Sequence, residues 1–150
     1  NPEWMGPMDL VDSRMNAQIL APQFLKQAQE SAKILSSTTE PSVFFMRYDF
    51  CVGRLIQLED CKKYGVKVTT TSSLEIYLDL TFREEAVNEI VQRTQEKYRN
   101  KIESLKSPKA KQNWAIKYHR AFEPYLSYMS DNAKTKLDEC SAELYALTEI

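Results

Sequence analysis

Eight cations stand between residues 97 and 120, namely Lys97, Arg99, Lys101, Lys106, Lys109, Lys111, Lys117 and Arg120, against one acid, Glu103. The local net charge is +7 in a chain whose formal total is -1, so the remaining residues carry -8. Tyr98, Trp114 and Tyr118 are interleaved with these cations. Ammonium and guanidinium groups neutralise phosphates and aromatic rings stack on bases, so this stretch carries the chemistry of a polyanion or nucleic-acid surface. The same charges suit an acidic protein partner, a second copy included. The bland alternative is a solvated helical face whose cations meet the acidic remainder of the chain.

Catalytic chemistry finds less support. A hydrolase or transferase needs a nucleophile beside a base, paired carboxylates or metal ligands at workable spacing. The one histidine, His119, falls between Tyr118 and Arg120 on a half-exposed helical pattern and reads as a boundary residue. Cys51, Cys61 and Cys140 form no CxxC or Cys/His cluster, so they read as reduced thiols rather than a disulfide framework or zinc site. No phosphate-binding glycine motif, HExxH or GxSxG occurs, and the chain has three glycines in all. No cofactor is expected. Arg47 and Asp49 lie inside the most apolar stretch, where a charge is costly unless paired. Residues two apart diverge on a helix, so these two are expected to be buried polar positions that meet partners on other helices.

The elements that carry these residues read as helices. Low glycine content and abundant Lys, Glu, Gln, Ala and Leu fit an all-α chain. From Leu74 to Lys106 apolar residues recur at Ile76, Leu80, Val87, Val91, Tyr98, Ile102 and Leu105, with carboxylates gathered at the start and cations at the end, as the helix dipole prefers. Read as one helix, this stretch would be about 50 Å long. Leu74, Ile76, Leu78, Leu80 and Phe82 also alternate as a strand would, but Ser73 is a good cap and a lone strand would have no evident partner. The spacing of Phe24, Ala28, Ala32 and Leu35 predicts a first helix opening near Pro22. A second helix opens at Pro41, carries Phe44, Phe45, Tyr48, Cys51, Leu55 and Leu58, and closes near Gly65. Ser107 and Pro108 start a fourth through Phe122, Pro124 breaks it, and Ser130 caps the last.

Together these imply an elongated antiparallel bundle of four to five helices with one long central helix. Residues 1–18 are expected to be a flexible segment, a tag scar or the remnant of something upstream, and residues 19–150 a single domain. Phe44, Tyr48, Leu55 and Tyr98 are the expected core, with the second helix against the long one. No apolar run reaches the roughly 20 residues needed to cross a bilayer, and no signal peptide is visible. A cytoplasmic protein without a membrane partner is the expectation.

The run Phe44-Phe45-Met46-Arg47-Tyr48-Asp49, then Leu55 and Leu58, then a long helix ending Leu105-Lys106-Ser107-Pro108-Lys109 with Asn113 beyond, resembles an uncharacterised helical domain of Gram-positive bacterial and prophage-type proteins. The resemblance runs from about Phe24 to Leu144, and departs in the turn, where Pro108 and Ala110 replace a more glycine-containing loop. It implies an all-α fold, a bacterial cytosol and fusion to other modules, and brings no activity with it. The functional expectation is a non-catalytic helical module for protein interaction or oligomerisation. Nucleic-acid binding through residues 97–120 is the alternative, and an enzyme with an unrecognised site the third.

Overall fold

Ser13 begins the first helix. Its backbone is extended and its hydroxyl accepts a hydrogen bond from the Asn16 amide at 3.2 Å, the cap geometry that satisfies an otherwise orphaned donor. In the structure, a computed structural model that describes residues 11–149, this helix is α1 (Arg14–Leu35), eight residues longer at its start than Pro22 suggests. Pro22 lies inside it on the exposed side, while Ala17, Ala21, Phe24, Ala28 and Leu35 run as one buried stripe past it. Burial of that stripe on both sides of the proline offsets its missing amide. Of the expected flexible segment 1–18, residues 1–10 lie outside the described residues, Val11 is buried, and residues 14–18 are helical.

α2 (Pro41–Lys63) closes as its sequence suggests. Gly65 takes φ +82°, its amide donates to the Lys62 carbonyl at 2.9 Å, and the Val66 amide reaches back to Cys61 at 3.4 Å. That pair of bonds is the Schellman arrangement, and it needs a residue free to adopt the left-handed region.

The expected long helix is not continuous. Residues 72–78 form a single-turn helix α3 (Ser72–Glu75) and a 3-10 turn (Ile76–Leu78), after which Asp79 turns extended and α4 (Leu80–Ser104) begins. One local and one distant interaction make the break. The Asp79 carboxylate accepts from the Thr81 amide at 2.8 Å, so it caps a new helix instead of continuing the old one. Tyr77 meanwhile packs edge-on against Tyr48 and Phe82, at 5.7 and 5.3 Å between ring centroids, and its hydroxyl donates to the Ala32 carbonyl. α4 therefore spans about 37 Å rather than 50. The alternating residues 74–82 are helical or turn, and no strand occurs among the described residues.

α5 (Pro108–Phe122) starts with Ser107 accepting from Ala110, a 3-10 segment (Glu123–Tyr128) follows at Pro124, and α6 (Asp131–Leu147) starts with Ser130 accepting from Ala133. The described residues thus form six α-helices, where the sequence pattern counts four to five, because the long one divides.

The described chain falls into two compact units, residues 11–37 with 46–82, and residues 38–45 with 83–149. In the first, α1 and the body of α2 form an antiparallel hairpin: Arg14 approaches Gly65, Phe24 faces Arg54, and Cys51 bonds the Ala28 carbonyl. In the second, α4, α5 and α6 run up, down and up. The Tyr118 hydroxyl donates to Val91 at 2.9 Å while Trp114 meets Tyr98, so α5 returns along α4, and Gln95 reaches both Cys140 and Glu143 of α6. Thr94 donates to Thr39 and Arg93 to Thr38, which pins the loop before α2 to the middle of α4. Phe44, Tyr48 and Leu55 are buried as expected. Tyr98 is only half-buried, because it sits at the rim of the second unit between Trp114 and Tyr118.

Candidate functional site

All eight cations of the basic stretch belong to the second unit, on α4, on α5 and in the turn between them. They do not act alike. Lys97 is paired with Glu40, and the Arg99 guanidinium lies 3.4 Å from the Glu143 carboxylate. Their partners stand far along the chain, on the loop before α2 and on α6, which is why local charge counting misses the neutralisation. Lys101, Lys106, Lys109, Lys111, Lys117 and Arg120 have no carboxylate within ion-pair distance among the described residues. Lys111 is half-buried and the other five are exposed.

The Ser107–Pro108 start decides where three of these charges go. It fixes Lys109 and Lys111 in or next to the first turn of α5, just past Lys106, with no acidic residue in that turn. The positive end of the helix dipole disfavours cations there by about 0.3–1 kcal/mol each. Positive charge is therefore concentrated where the free protein gains nothing from it, and a bound anion would relieve it.

The aromatic residues divide too. Tyr118 is fully buried, and burial holds its phenol well above the ordinary range, so it is a core residue. Tyr98 stands edge-on to both Tyr118 and Trp114, at 5.5 and 5.6 Å between centroids, and its phenol is also raised, chiefly by burial. Trp114 is half-buried, with the Lys117 ammonium 4.6 Å and the Lys101 ammonium 5.3 Å from its ring centroid. The expected stacking platform is thus absent from Tyr118 and already engaged at Tyr98 and Trp114.

Arg47 and Asp49 are half-buried rather than buried, since they flank the α2 stripe of Phe44, Tyr48, Cys51, Leu55 and Leu58 instead of lying on it. The buried polar positions of this helix are Arg54, Gln57 and Asp60. The Arg54 guanidinium bonds Gln57 and lies over the rings of Phe50 and Phe24, at 4.5 and 5.2 Å from their centroids. The sequence signal was available: Arg54 is three residues beyond Cys51 and adjacent to Leu55, inside the apolar phase.

His119 is half-exposed and bridges two carboxylates, Nδ1 lying 3.2 Å from Glu123 and Nε2 3.6 Å from Asp138, so it links α5 to α6. Cys51, Cys61 and Cys140 are free and buried. Burial pushes Cys51 up to about 12 and raises Cys61 and Cys140, which leaves none poised as a thiolate. Among the described residues no three His, Cys, Asp or Glu side chains gather to hold a metal ion, and no helix is long and apolar enough to cross a membrane. The first unit has a groove of about 420 Å³ between Ala21, Pro22 and Leu25 of α1 and Val66 and Val68 of the connector. It is mostly apolar and holds no cluster of titratable groups.

Comparison with known proteins gives no matching family model, no matching curated protein and no matching solved structure.

Proposed function

We propose that this chain is a non-catalytic helical binding module whose second unit holds the sugar–phosphate backbone of a nucleic acid on Lys101, Lys106, Lys109, Lys111, Lys117 and Arg120. The observation that carries this reading is the isolation of these cations. Six of them lack carboxylate partners, and none of the large exposed apolar residues falls between 83 and 122. A protein interface is organised around a desolvated apolar or aromatic centre, which this surface does not offer, whereas a phosphate backbone requires cations alone. With the aromatic rings engaged inside the unit, backbone contact on duplex suits the surface better than base stacking along a single strand.

Fluorescence anisotropy with labelled duplex at increasing salt tests it. Six contacts correspond to a log-log slope of about -5, and to roughly a thousandfold loss between 50 and 200 mM salt. Changing Lys106→Glu, Lys109→Glu and Lys111→Glu together should abolish binding without lowering the melting temperature, since none of the three has a carboxylate partner and acids suit the start of α5 better than cations. A parent protein that binds no duplex at low salt refutes the reading.

A second reading, protein docking or self-association, rests on a different surface. Ile76, Leu78 and Leu80 are 39, 43 and 77% exposed on the segment that leads into α4, within the first unit. Exposed apolar side chains mark a docking face where they join into one patch. Sedimentation of the parent and of Leu78→Ser with Leu80→Ser separates a self-associating chain from a monomer. The resemblance to a bacterial, prophage-type helical domain and a cytoplasmic setting belong to the same proposal.

A further inference from the structure

We infer that Trp114 is a positioning residue that holds Lys101 and Lys117 ready for phosphate, so that these two lysines form the strongest part of the proposed nucleic-acid surface. This rests on the backbone-binding reading above. Lys101 comes from the end of α4 and Lys117 from the middle of α5, yet both ammoniums converge on the one indole, at 5.3 and 4.6 Å from its centroid. Indole attracts cations more strongly than the other aromatic rings. Neither lysine has a carboxylate partner among the described residues, so the ring is what orders them. Trp114 is fixed in turn by its edge contact with Tyr98, which packs on the buried Tyr118. The chain of contacts runs from the core of the second unit out to two ammonium groups.

An exposed lysine normally loses much side-chain freedom when it grips a phosphate, and that loss weakens binding. Two lysines ordered beforehand avoid most of it. Lys106 and Lys109, exposed and without an aromatic support, should contribute charge without this advantage.

Salt titration separates ordering from charge, because the slope counts neutralised phosphates and the affinity at fixed salt also senses ordering. Trp114→Leu should weaken duplex binding by about tenfold with the slope unchanged, and Trp114→Tyr should fall between it and the parent. Lys101→Gln and Lys117→Gln should instead each reduce the slope by about 0.9. In the free parent, the lysine side-chain methylenes nearest the ring should show ring-current-shifted proton resonances at two lysines, which needs no variant to fold. Folded Trp114→Leu binding as tightly as the parent, a slope that falls with the ring, or unshifted lysine resonances would each overturn the inference while duplex binding itself stands. Absence of binding by the parent overturns the backbone-binding reading and this inference with it.

Discussion

The same substitution at two glycines of the first unit should act in opposite directions. Gly53 lies in the interior of α2 with an ordinary helical backbone, and a methyl group built there meets nothing within 4 Å. Gly53→Ala thus adds no clash and removes the entropic cost of glycine, a gain of about 0.5–1 kcal/mol. Gly65 sits two residues past the end of α2 at φ +82°, a left-handed conformation that costs an L side chain roughly 1–2 kcal/mol. An alanine methyl there also meets the Arg14 guanidinium at 3.6 Å, ordinary contact that adds little. The two variants should therefore differ by about 1.5–3 kcal/mol, with the parent between them. Urea denaturation followed by circular dichroism measures this directly, and thermal melting adds a second reading. Because both positions belong to one unit, they act on one transition. A change of 1 kcal/mol should move the melting temperature by about 2–4 °C if all 150 residues melt together, and by about 4–8 °C if the unit melts alone. A destabilised Gly53→Ala, or a Gly65→Ala as stable as the parent, would refute the assigned course of α2 and its closure.

Phe44, 1% exposed, should lose about 3–5 kcal/mol on Phe44→Ala, read from the urea midpoint. Asp79→Ala removes the cap of α4 and should cost about 0.5–2 kcal/mol, with amide exchange accelerated at Thr81. Native protein should release no thiol signal to a thiol reagent at pH 8, and three equivalents once unfolded, because all three cysteines are buried. Cys51 also sets an alkaline limit: its thiol titrates near 9.0 when unexposed to the fold's burial and at about 12 within it. The unfolded chain thus binds fewer protons above pH 9, and stability should fall with rising pH by about 1.4 kcal/mol per unit between those values, a slope that Cys51→Ala should reduce.

Two helix starts are legible from their capping side chains. Ser107 and Ser130 each precede a helix and each accept the expected amide. Gly65 ends α2 as its type suggests. Ser13 carried the same signal, but Pro22 drew attention to itself as a first-turn residue, and only burial of Ala17 and Ala21 reveals that the helix runs through it. Asp79 was hidden for the opposite reason. Its neighbours fit a helical stripe at Ile76 and Leu80 and strand alternation from Leu74 to Phe82, neither of which marks a break, and the break also depends on Tyr77 finding Tyr48 and Ala32, residues 29 and 45 positions away.

The candidate surface shows the same division between near and distant causes. Its charge is visible in the order of the residues, though not in a composition whose net charge is -1, and so is the turn that gathers Lys106, Lys109 and Lys111. What the sequence could not rank was the eight cations among themselves. Glu40 and Glu143 pair with Lys97 and Arg99 in exposed ion pairs, while Trp114 draws Lys101 and Lys117 together from two helices. Neutralising the first pair and ordering the second leaves a surface narrower than the charge count and better organised than a solvated face. Removing the charge at Glu143 gives this ranking a direct check: Glu143→Gln would free Arg99 for phosphate and should steepen the salt slope by up to about 0.9. An unchanged slope, with duplex binding retained, would mean that Arg99 lies off the path of the backbone and that the surface is confined to the six cations without carboxylate partners.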